Sequence, residues 1–157
     1  MIVDEDRITV NSQLIVSLAN QALDNTTRLS ITNWYKKMPS DHYRKEFGTV
    51  KISMPRRSGH TTAALQLLVE HPDSICFVSK HDQKLGMTRM LHDYTSDRKI
   101  INRVCNAIIT VNDNSLKQIK VVKSRPFVIF DQTDMIREDV FEYLKEGYNA
   151  KIVVELQ

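Results

Sequence analysis

Two short stretches, "SICFVS" (74–79) and "PFVIFD" (126–131), are almost wholly apolar over lengths that suit a strand, and "AKIVVEL" (150–156) reads as a final strand. A strand with one wet face alternates apolar and polar residues, whereas a run without alternation belongs to a strand covered on both faces. Such strands are typical of parallel α/β sheets, whose crossover helices cover them. Segments with helical spacing lie between the runs: "TTAALQLLVEH" from Thr61, "HDQKLGMTRMLHDY" weakened by Gly86, and "REDVFEYLKEGY". A further strand, "GTVKISM", precedes the first of these helices. "NAIITVNDNSLKQIKVV" reads as a β-hairpin turning at "NDNS", where Asn and Asp accept turn conformations. The expected fold is a three-layer α/β domain with a mostly parallel sheet, an inserted β-hairpin and an N-terminal helical segment.

That N-terminal segment, residues 1–47, precedes an α/β core at 48–157. After a cap at Asn11 or Ser12, the residues Leu14, Ile15, Leu18, Ala19, Ala22 and Leu23 recur at one-face helical spacing. "DNTT" (24–27) is expected to end that helix, and Ile31, Trp34, Tyr35 and Met38 suggest a second one closed by Pro39. Trp34 and Tyr35 read first as core, with base stacking as the alternative. No repeat or Pro/Gly-rich linker divides the 157 residues, so a single domain is expected.

With 41% apolar and 26% charged residues, the composition is that of a globular chain. A net charge of +3 permits contact with phosphates or nucleic acid without establishing it. Cys76 and Cys105 lie in apolar runs and are expected as buried free thiols, and no Cys/His spacing suggests zinc. The N-terminus is too polar for a signal peptide, and no apolar run is long enough to span a membrane. Membrane association is not expected, and a cytoplasmic location is.

Two motifs carry chemistry. In "KISMPRRSGHTT" (51–62) a strand runs through Met54, Pro55, Arg56, Arg57, Ser58, Gly59 and His60 into Thr61 and Thr62, which open a helix. A phosphate-binding loop of the form G-x-x-x-x-G-K-[ST] works in this setting, because the turn aims backbone N–H groups and the helix N-terminus at phosphate oxygens. Here the second glycine and the hydroxyl are present, while the first glycine and the lysine are not. About 70 residues beyond Thr61, "PFVIFDQTD" supplies an apolar strand ending in Asp131, the position from which such folds hold Mg²⁺ opposite the loop hydroxyl.

This succession resembles the ATPase domain of the large terminases of phages, the motors that package viral DNA. "RRSGHTTAALQLL" is similar to the Walker A loop and helix of that family, and "EHPDSICFVSKHDQKLGMTRML" to the strand and Gln-bearing helix that follow. "ITVNDNSLKQIKVVKSRPFVIFDQTD" is similar in layout to its hairpin and Walker B strand, so the likeness spans about residues 48–157. The resemblance implies a P-loop NTPase-like fold and ATP with Mg²⁺ as cofactors. Phosphates would lie against Arg56, Arg57, Ser58, Gly59, His60, Thr61 and Thr62, the metal on Thr61 and Asp131, and Gln132 would orient water.

Three departures bear on activity. His60 stands where the family has its phosphate-neutralising lysine, leaving Arg56 or Arg57 as the available cations. Gln132 stands where a glutamate usually polarises the attacking water, and an amide orients water without accepting its proton. The nuclease domain of a packaging motor is absent from these 157 residues. The expectation is a degenerate ATP-binding domain of viral origin with weak or no hydrolysis, serving DNA packaging or nucleic-acid handling in the host cytoplasm. The rival expectation is a non-enzymatic module on the same fold that binds DNA or a viral or host protein. A helicase-type fragment is a third.

Overall fold

The computed structural model describes residues 5–29, 48–53, 59–111, 125–131 and 150–156, with residues 136, 138, 140 and 144. In chain order these form helix α1 (Glu5–Leu29), strand β1 (Thr49–Ile52), helix α2 (His60–Glu70), strand β2 (Ile75–Val78), helices α3 (His81–Tyr94) and α4 (Arg98–Ala107), and strands β3 (Ile108–Thr110), β4 (Arg125–Asp131) and β5 (Ala150–Leu156). One sheet, ordered β1-β5-β4-β2-β3, contains all five strands, and every pairing is parallel.

The two apolar runs occupy the interior of this sheet, as their lack of alternation predicts, and the final strand lies between β1 and β4. Every residue of β2 is buried, and Phe127, Val128, Ile129 and Phe130 of β4 are wholly so. Side-chain parity divides the core in two. Ile52, Cys76, Val78, Phe127, Ile129, Ile152 and Val154 pack with α1, α2, α3 and α4 on one face. Phe77, Val128, Phe130 and Val153 pack with Ile136 and Leu144 on the other. Handedness explains the partition. The steps from β1 to β2 and from β2 to β3 run one way across the sheet, and their helices share one face. The step from β4 to β5 runs back, so a right-handed crossover must lie on the opposite face. Glu138, Val140 and Leu144, which lie on that step, are helical.

Several expectations change at the level of single elements. Asn11 and Ser12 do not cap α1, which begins at Glu5, and Ser12 is 3% exposed inside it. "DNTT" continues the helix, because it contains no Pro or Gly and Asp24 and Asn25 project outward. Ile15, Val16 and Ala19 enter the core, while Leu14 and Leu18, off that face, are exposed. The strand expected from Asn106 begins only at Ile108, because residues 98–107 form α4. Asp97 caps it by accepting from the Lys99 N–H at 3.0 Å, and Ile101 and Val104, three residues apart, are its buried residues. The helix at the loop starts at His60, one residue before the expected Thr61. Most of the segment expected to form a hairpin, and the pair Trp34–Tyr35, lie outside the described residues.

Candidate functional site

The helix that follows the loop, α2, buries Ala63, Ala64, Leu65, Leu67 and Leu68, each a good helix former. Its first residues are held in an unusual way. Gly59 is the N-cap with φ 87° and ψ 16°, a left-handed conformation that costs any residue with a Cβ. Its carbonyl accepts the first helical bond, from the Ala63 N–H at 2.9 Å. No side chain caps this end, and its first turn contains no acidic residue. A helix N-terminus without a cap or a carboxylate presents backbone N–H groups and partial positive charge to whatever lies before it.

Thr61, in that first turn, donates from Oγ1 to Asp131 Oδ2 at 3.2 Å across 70 residues of sequence. Asp131 is the last residue of β4 and is 2% exposed. The parity that sends Ile129 to the helix-bearing face sends Asp131 there too, beneath the start of α2. The two sequence motifs therefore meet in one place. Cys76, on neighbouring β2, stays a thiol there: burial, and secondarily the Asp131 carboxylate, push its pKa well up. Both Cys76 and Cys105 are free, as expected, but only Cys76 is buried and Cys105 is half-buried.

His60 is half-buried and its Nε2 is enclosed, without a hydrogen-bond partner among the described residues. Burial lowers its pKa, so near neutral pH the imidazole does not supply the fixed charge of a lysine. Thr62 is half-buried in the same turn. Arg56, Arg57 and Ser58 of the loop, and Gln132 after β4, lie outside the described residues.

Two further features sit at the same edge of the sheet. The elements that follow β2 and β4 pack on opposite faces of the sheet, and the carboxyl ends of such neighbours are the usual place for a ligand in an open parallel sheet. On the β2 side, Gln83 Oε1 accepts from the Ser79 N–H (3.0 Å), the Ser79 hydroxyl (2.8 Å) and the Lys80 N–H (3.1 Å). This clamp fixes the turn into α3 and places Ser79 beside the end of β4. The second feature is Glu155 of β5, which is 4% exposed and ion-paired to Lys51 of β1 at 3.5 Å. Sequence reasoning passed over it, although a glutamate inside "KIVVEL" was a visible exception in a doubly covered strand. Among the remaining histidines, His81 and His92 are exposed, whereas His71 bonds Asn20 through Nε2 at 2.8 Å.

Chemically the arrangement offers an N–H-rich helix start, a hydroxyl and a buried carboxylate in contact. A hard cation that binds with phosphates needs only one or two such oxygens from the protein, so Thr61 and Asp131 fit Mg²⁺ of that kind. Among the described residues no group of three His, Cys, Asp or Glu side chains could hold a metal alone. None of the described helices is long and apolar enough to cross a membrane. No protein family, curated protein or solved structure matches the chain.

Proposed function

We infer that the chain is a degenerate P-loop nucleotide-binding domain, similar in layout to the ATPase domain of phage large terminases. It would bind ATP with Mg²⁺ and turn it over slowly or not at all. The observation that carries this reading is the Thr61–Asp131 contact, which joins the loop helix to the strand expected to face it. The left-handed Gly59 and the uncapped first turn of α2 add support. Gly59, His60, Thr61 and Thr62, with Arg56, Arg57 and Ser58 of the loop, would lie against the phosphates. Thr61 and Asp131 would hold Mg²⁺, which when bound draws charge from the phosphate oxygens. Gln132 would orient water without taking its proton.

Titration calorimetry with ATP and Mg²⁺ at millimolar ligand tests the binding, and no detectable binding there rejects the reading. The double variant His60→Lys with Gln132→Glu tests the degeneracy. Single groups in such sites contribute about 10²-fold or more, so turnover should rise by at least that factor in the variant. Wild-type turnover already in the ordinary range of about 1–10³ s⁻¹ would show that the site is not degenerate. His60 and Gln132 also favour a second reading, a non-enzymatic module that keeps the fold and binds DNA or a viral or host protein. That reading predicts no turnover in wild type and a partner whose binding is indifferent to ATP.

A further inference from the structure

Among the described residues, the large apolar side chains left exposed lie on two helices: Leu14 and Leu18 of α1, and Leu85, Met90 and Tyr94 of α3. Helix α3 buries Met87 and Leu91 against the rest of the fold. Asp82, Leu85, Gly86, Arg89 and Asp93 recur at i, i+3, i+4, i+7 and i+11, so they form one stripe along the opposite side, and all five are exposed. Two features set this stripe apart from an ordinary solvated helix face.

The first is Gly86. A glycine inside a helix lowers its stability relative to alanine. A Cβ built here would meet nothing within 4 Å, so the fold itself gives no reason for its absence. The glycine leaves a hollow beside Leu85, which is 44% exposed. The second feature is a pair of opposite charges without internal partners. Neither Asp82 nor Arg89 has a side-chain hydrogen bond or ion pair among the described residues. Seven residues of helix hold them about 10 Å apart, too far to meet each other. Asp82 lies in the first turn, where a carboxylate suits the helix dipole, but Arg89 in mid-helix has no such local role.

The stripe is complementary to itself. A two-fold axis crossing α3 between Leu85 and Gly86 lays a second α3 antiparallel on the first, and each contact then occurs twice. Asp82 of either copy faces Arg89 of the other, and each Leu85 enters the hollow over the opposing Gly86. We propose that this face of α3 pairs in that register with the same face of a second copy of the chain. The pairing stands independently of the nucleotide-binding reading. An outer face of 14 residues measures about 20 Å by 10 Å, well under the roughly 800 Å² per partner of a standard interface. The dimer is therefore weak, with a dissociation constant on the order of 10–100 µM.

Sedimentation equilibrium of the nucleotide-free chain at low salt, where exposed charges are least screened, tests this. Wild type should dimerise reversibly. Arg89→Asp and Asp82→Arg should each weaken association at least about tenfold, because each turns both ion pairs into like-charge pairs. Mixed in equal amounts, the two variants should associate with each other about as tightly as wild type, since each carries the charges that the other lacks. Gly86→Gln, which favours the helix and fills the hollow, should also weaken association about tenfold. Wild type that stays monomeric at about 1 mM overturns the proposal, as does a folded Arg89→Asp variant that dimerises like wild type. Association untouched by Gly86→Gln places the contact on another surface and overturns it too. So does a mixture of the two folded charge variants that fails to associate. Should Asp82→Arg fail to fold, Arg89→Asp and Gly86→Gln decide the matter alone.

Discussion

The two ends of α2 are finished in opposite ways. At the carboxyl end the free carbonyls have partners: Arg103 of α4 donates to Val69 O at 2.9 Å and Leu68 O at 3.4 Å, and the His71 N–H closes on Leu67 O at 2.9 Å. His71 then bonds Asn20 of α1 and sets its ring edge-on to Phe127, centroids 4.7 Å apart. Ser74 continues the join by accepting from the Phe127 N–H at 3.2 Å. At the amino end Gly59 supplies no side-chain cap, and a side-chain bond of the first turn runs from Thr61 to Asp131. One end is bonded to its surroundings by groups of the fold itself. At the other, no side chain caps the helix start among the described residues. Helix ends closed by the protein add to its stability, whereas N–H groups left open are met by water or by an anion.

Substitutions at the two ends should therefore separate stability from binding. The largest effect is expected at Gly59, because its φ of 87° disfavours a branched side chain. Gly59→Val should cost about 2 kcal/mol of stability in urea unfolding and also abolish measurable Mg²⁺–ATP binding. A variant that unfolds earlier yet binds ATP normally would remove the loop from the site. Arg103→Met keeps most of the aliphatic stem and removes the donors to Leu68 and Val69. It should lower stability by about 1–2 kcal/mol and leave ATP affinity unchanged. Loss of ATP binding there would mean that the ends of α2 are not independent.

The smallest effect is expected from pH, and it draws on one imidazole at each end. Burial lowers the pKa of His60 and also that of His71, where Glu70 partly opposes the shift. Both bind protons more weakly in the folded chain than in the unfolded one, whose histidines titrate near 6.5. As pH falls below about 6.5 the unfolded state takes up protons first, and stability declines. Thermal unfolding from pH 8 to pH 5 should show the decline, and His71→Gln should flatten part of it. A melting temperature that rises on acidification would contradict both assignments.

Much of this contrast was visible in the sequence at one end only. "RRSGHTT" and "VIFD" drew attention because a glycine before a helix and an acid after an apolar strand are local signals. The carboxyl end has no such signal. Arg103 meets Leu68 and Val69 across 35 and 34 residues, and Asn20 meets His71 across 51. Residues 98–105 carried no assignment from sequence, although Asp97 and the spacing of Ile101 and Val104 signal a helix, and the apolar residues from Asn106 onward suit a strand. The extent of α1 was misread for a different reason. "DNTT" has low helix propensity, but packing of Ile15, Val16 and Ala19 against the sheet outweighs a few tenths of a kcal/mol per residue.

By itself the sequence determined the kinds of element and the residue types at their ends. Apolar runs without alternation had to be doubly covered strands, and Thr61 and Asp131 were marked by position within their own segments. Only the tertiary structure decided which strand lies beside which. The order β1-β5-β4-β2-β3 places the last strand between the first and the fourth, and so brings Glu155 next to both Lys51 and Phe130. The physical reason is that burial and backbone geometry are local properties of a segment. Strand order depends instead on crossover handedness and on the shared covering of two faces, which no single segment encodes.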